Sequence, residues 1–127
     1  MNNIVVGLPG QTGIFCGNFD DTNPPALKFN NVVRLGGDAY GGACANVAGP
    51  NGNISADPLF ADAAHGDYHP RAESPSIDAG DDNAPTLPAK DLKSFPGVLD
   101  GDANGTAVVD MGALRVLELR SAVQALE

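Results

Sequence analysis

The chain has 127 residues, with seven Lys and Arg against sixteen Asp and Glu, for a net charge of -9. That balance disfavours a nucleic-acid partner, which needs a basic face, and docking on an anionic membrane. No apolar run approaches the roughly 20 residues of a spanning helix, so no membrane insertion is expected.

Gly (16) and Pro (10) are abundant, and the acidic residues divide into thirteen Asp and three Glu. Asp, Asn, Gly and Pro form turns and are poor in helix interiors, which excludes a helical bundle before about residue 114. With no Trp and only seven aromatic residues, the core must come from Val, Ile, Leu and Ala. The composition predicts an all-β domain over 1–113 and a helical tail over 114–127.

Along the chain, Asn2-Asn3-Ile4-Val5-Val6 lies over Asn30-Asn31-Val32-Val33-Arg34 at an offset of 28 residues. In that register Gly13 falls on Gly41, Cys16 on Cys44, Asn18 on Asn46 and Asn23 on Asn51. A repeat of this length suits one coil of a parallel β-solenoid, with coils stacked about 4.8 Å apart. Asn at matching places in successive coils would form a side-chain amide ladder, satisfying buried polar groups. Stacked on adjacent coils, Cys16 and Cys44 fall within disulfide range; a pair of reduced core thiols is the competing reading. The first coil exposes unpaired backbone beside apolar Ile4, Val5 and Val6, which invites pairing with a second copy of the chain.

After Asn53 the repeat fades. Ile54-Ser55-Ala56-Asp57-Pro58-Leu59-Phe60, Gly66-Asp67-Tyr68-His69, Ser74-Pro75-Ser76-Ile77-Asp78-Ala79-Gly80-Asp81 and the run from Asp100 to Ala113 come next, in that order. Together these motifs resemble the C-terminal segment of bacterial right-handed parallel β-helix proteins, where such segments often precede a cell-surface anchor, the choice-of-anchor type of module. The resemblance covers about residues 2–113. It implies a short right-handed parallel β-helix of few coils with long Gly/Asp/Pro-rich loops, on the cell surface or outside the cell. The Met-Asn-Asn start, which carries no signal-peptide pattern, points inside instead. Members of that family carry more coils upstream and finish near an aromatic-acidic pair, whereas this chain reads Leu114-Arg115-Val116 after its Asp-Met-Gly-Ala motif.

Asp100-Gly101-Asp102-Ala103-Asn104-Gly105-Thr106 matches the first half of a calcium loop, with oxygens at positions 1, 3 and 5 and glycine at 6. Thr106 supplies position 7, Met111 stands where the loop's Glu belongs, and Asp110 is its substitute. The expected metal set is thus Asp100, Asp102, Asn104, Thr106 and Asp110, holding a structural calcium. Asp78, Asp81 and Asp82 form a second acidic cluster. His65 and His69 are four apart, but Gly66 and Pro70 break any helix between them, so both are expected in solvent-facing turns.

The tail places Val116, Leu119, Val123 and Leu126 on one helical stripe, which either covers an open end of the solenoid or joins two copies. Expected interface residues are therefore Ile4, Val5, Val6, Leu119, Val123 and Leu126. No catalytic constellation stands out. The function expected is a non-enzymatic end module acting in self-assembly, as a homodimer or larger oligomer, or in surface and glycan interaction. One alternative is a fragment of a polysaccharide lyase or glycoside hydrolase, with Lys90, Lys93, Arg71 and Arg34 as candidate bases. Another is the stand-alone product of a mobile gene cassette.

Overall fold

The computed structural model of the chain describes residues 1–17, 25–45 and 50–116. Six short strands are present: β1 (Ile4–Val6), β2 (Ile14–Cys16), β3 (Asn31–Val33), β4 (Tyr40–Gly42), β5 (Phe60–Asp62) and β6 (Asp67–Pro70). Among the described residues the only helical elements are two single 3-10 turns, Pro50–Gly52 and Ala63–His65. None is long and apolar enough to cross a membrane. Asn18, Asn23 and Asn46 of the repeat lie outside the described residues. So does the expected tail helix beyond Val116, with Leu119, Val123 and Leu126.

The solenoid expected from the repeat is not formed. The strands make three separate two-stranded sheets, with β1 parallel to β3, β2 parallel to β4, and β5 antiparallel to β6. Two similar units give two parallel pairs, but a solenoid needs further units that repeat the same pairing. The third contact is a single parallel bridge between Asn31 and Ile54. Beyond it the chain turns back on itself through Ala63–His65 into the β5–β6 hairpin. A hairpin spends its backbone groups on its own two strands and presents no coil for another to stack on.

The register also differs from the 28-residue offset. Ile4 pairs with Asn31, Val5 with Val32 and Val6 with Val33, while Ile14 pairs with Tyr40. A slip of one residue exchanges the two faces of a strand. The observed pairing sets Val5 beside Val32, which is completely buried. Both belong to the core of Cys16, Val32, Ala39, Tyr40 and Cys44, against which Val5, Ile14 and Leu27 also pack.

An amide ladder does form, from a different set of residues. Asn3 Nδ2 donates to Asn30 Oδ1 (2.9 Å), and Asn30 Nδ2 donates to Asn53 Oδ1 (3.0 Å). Asn53 Nδ2 donates in turn to the Leu27 carbonyl (2.7 Å). Next to the ladder, Asn31 points the other way. Its Nδ2 donates to Ser76 Oγ (2.8 Å) and its Oδ1 accepts from the Ala56 N–H (3.0 Å). Asn30, Asn31, Asn53 and Ser76 are all buried, and each bond replaces one that water would otherwise make.

Cys16 and Cys44 are joined in a disulfide, with Cα atoms 5.5 Å apart. Gly42 lets β4 close on this point. Its φ is +64°, and a Cβ there would collide with the Cys16 carbonyl.

Both the ladder and the disulfide bear on stability. Asn30→Ala removes the acceptor of the Asn3 amide and one of two donors to buried Asn53 Oδ1, leaving the Asn30 N–H on it, and should lower the unfolding free energy by about 1–2 kcal/mol, read by urea denaturation. Cys44→Ser opens a closed loop whose ends are 28 residues apart, and should cost about 3.5 kcal/mol in the chain-entropy account, with dithiothreitol lowering the wild-type midpoint similarly.

Candidate functional site

In the second half, Asp side chains take over the work that strands do in the first. A carboxylate can accept two or three backbone N–H groups and so hold an irregular loop in place. Asp78 accepts from the Gly101 and Asp102 N–H groups at Oδ2 (3.0 and 3.1 Å) and from Val108 at Oδ1 (3.3 Å). Its own N–H donates to Asp110 Oδ1 (3.0 Å). Asp100 and Asp102 both accept from the Asn104 N–H (3.0 Å each), and Asp100 also takes the Gly105 N–H (2.9 Å).

The result is a group of three carboxylates, Asp78, Asp100 and Asp102, whose ligand oxygens all lie within 4.8 Å of one another. Two of the expected metal residues, Asp100 and Asp102, thus converge. Asp78, expected in a separate cluster, completes the group. Its partners in that cluster go elsewhere: the Asp81 N–H donates to Asn2 Oδ1 (2.9 Å), and Asp82 accepts from Val109 N–H (2.8 Å). Asn104 binds Asp102 through its amide (2.8 Å), and its Oδ1 takes the Thr106 N–H (2.8 Å). Asp110 stays outside the group, buried and engaged with the Asp78 N–H.

Charge crowding and burial act unequally on these groups. Burial pushes the Asp78 carboxyl above its ordinary value, against the Asp102 and Val108 N–H bonds that pull it down, and neighbouring Asp102 adds to the rise. For Asp102 burial is again the largest single influence and acts upward, but the N–H and amide of Asn104 with the carboxyls of Asp78 and Asp100 outweigh it, and its pKa is lowered. Asp110 is raised by burial, opposed by the Asp78 N–H and by the charge of Arg115. Within the group, Asp78 therefore keeps its proton to a higher pH than Asp102 does. Three converging carboxylate oxygens suit a hard cation such as calcium, which would displace that proton.

The histidines part company. His65 is exposed and pairs with Asp62 (2.7 Å). His69 is buried, contrary to the solvent-facing turn expected for it. It lies on β6, where Asp67 accepts both its backbone N–H (3.1 Å) and a bond from its ring Nδ1. The signal was the Asp-x-His spacing on an extended strand, not the four-residue spacing between the two histidines. Of the candidate bases, Arg34 donates to the Gly37 carbonyl (3.2 Å) and Arg71 to the Ala61 carbonyl (2.9 Å). Lys90 and Lys93 are exposed. These four basic side chains are not assembled around the carboxylates.

No family model matches the chain, and no curated protein and no solved structure matches it.

The raised carboxyls make stability depend on pH. Asp78 and Asp110 keep protons in the native chain that the unfolded chain has released, so their contribution is present below the ordinary 3.8 and is lost as pH rises through their raised values. Asp110→Asn keeps the acceptor for the Asp78 N–H and removes that titration. Unfolding free energy measured by urea at steps from pH 4 to 7 should fall less steeply for Asp110→Asn than for the wild type.

Proposed function

We propose that this chain is a non-enzymatic module that self-associates and acts in assembly or surface interaction, with calcium as a structural ion. The observation that carries the reading is an open strand edge bordered by apolar grooves. Parallel pairing directs alternate backbone groups of β1 toward β3, beginning with the Asn31 N–H on the Asn3 carbonyl (2.8 Å). Those of Ile4 and Val6 point the opposite way, and among the described residues no backbone partner meets them. Only Asn2, just before the strand, receives a bond on that side, from Gly112 (2.8 Å).

Two grooves of about 400 and 560 Å³ meet at Val6, Phe60 and Tyr68. Val6 and Tyr68 are half exposed, and Leu92 on the rim is 75% exposed. Apolar surface beside an unpaired edge is what a second copy of the chain would cover. Of the expected interface residues, Ile4 and Val6 line this face, whereas Val5 packs on the core. A disulfide persists in oxidising surroundings, which supports a place outside the reducing cytosol. The role of Asp78, Asp100 and Asp102 in holding backbone amides supports a structural use of the carboxylates over acid–base chemistry.

Light scattering tests the assembly. The wild type should show a dimer or larger mass, and Val6→Lys, at an exposed position, should give a folded monomer. A monomeric wild type would sink this reading. Calcium should raise the thermal midpoint of the wild type and leave that of Asp78→Ala unmoved. Because Asp78 must lose its proton to bind, calcium affinity by calorimetry should fall as pH is lowered.

A further inference from the structure

A cavity of about 760 Å³ lies between the 84–92 loop and the 109–115 segment, sharing Asn3, Leu92, Gly112 and Ala113 with the smaller groove beside the open edge. Its lining is largely apolar, including Leu87, Val109 and prolines of the loop, but it also includes Arg115, Asp91 and Lys90. Arg115 is more than nine-tenths buried, at 6% exposure, and among the described residues its Nε and Nη1 have no hydrogen-bond partner. The nearby Asp110 carboxylate spends its Oδ1 on the Asp78 N–H and does not form an ion pair with it. On the same cavity, Asp91 uses Oδ1 to hold the Lys93 and Phe95 N–H groups (2.8 and 2.9 Å). Its Oδ2 is buried and also without a partner.

Buried guanidinium N–H groups without an acceptor are costly. The Nε and Nη1 of Arg115 lie on different edges of the guanidinium, so each can donate to a separate ligand oxygen, and the positive charge favours a carboxylate among them. An orphaned carboxylate oxygen asks for the opposite, a hydroxyl donor. The volume is that of a site for one small molecule. We propose that this cavity binds a hydroxylated carboxylic acid of the sugar-acid class, with Arg115 taking the carboxylate, Asp91 a hydroxyl, and Lys90 adding positive charge at the rim. The cavity borders the face proposed for self-association, so the titration below is repeated on Val6→Lys, whose substitution lies outside the cavity lining.

Calorimetric titration of the full chain with galacturonate, galactose and acetate tests it. Galacturonate should bind, and the neutral galactose should not. Arg115→Met should weaken galacturonate about 10- to 100-fold, the range for lost charge-assisted bonds. Should that variant fail to fold by circular dichroism, Arg115→Lys keeps the charge, loses the separately directed Nε and Nη1 donors, and should weaken binding about tenfold. Asp91→Asn retains the Oδ1 acceptor and should weaken galacturonate more than acetate. Absence of galacturonate binding, equal binding of galactose, or an affinity unchanged in both Arg115 variants would overturn the assignment.

Discussion

The rest of the fold hangs on two adjacent buried asparagines. Asn30 ties Asn3 to Asn53 within the first half, and Asn31 ties that half to Ala56 and Ser76 in the second. The strands are three or four residues long, and a strand pair of that length is marginal in water. Side-chain amides extend each ladder sideways where the backbone has run out. The Asn30–Asn53 and Asn31–Ser76 bonds are buried, so the loss of either leaves a group that water reaches poorly. The disulfide completes the arrangement by restricting the unfolded chain at the far end of the β2–β4 pair.

Beyond Ser76 the same principle operates with carboxylates. The loop from Asp100 to Thr106 and the turn at Asp78 contain no strand, yet their N–H groups are met by Asp78, Asp100, Asp102 and Asn104. Holding a loop this way brings like charges together. The raised Asp78 and lowered Asp102 record how unequally burial and backbone N–H groups act on these carboxyls.

The Asp100–Thr106 pattern was legible because a calcium-type loop is local, and its residues carry their own spacing. The contribution of Asp78 was not, because it arrives from 22 residues upstream of Asp100 through a turn whose direction no periodicity encodes. His69 was misplaced for a related reason. Its burial comes from the side of β6 it occupies and from Asp67 two residues away, and the flanking Gly66 and Pro70 suggested only a turn. Arg115 drew no notice in the sequence, since one arginine after a Met-Gly-Ala run looks like surface. Only the closing of the 84–92 loop over the segment gives it a cavity and removes its water.

Composition alone argued against a helical bundle before about residue 114, because turn formers act regardless of how the chain is arranged. The repeated Asn-Asn and Val pattern also foretold parallel pairing, a side-chain amide ladder and the closeness of Cys16 to Cys44. Register, sheet number and termination belong to the tertiary structure. Whether Asn3 meets Asn30 or Asn31 is a difference of one residue, and the buried face of Val5 and Val32 decides it. Whether pairing continues into a solenoid depends on the path of the chain beyond Asn53. There the β5–β6 hairpin and the carboxylate-held loops use up the backbone groups that a further coil would need.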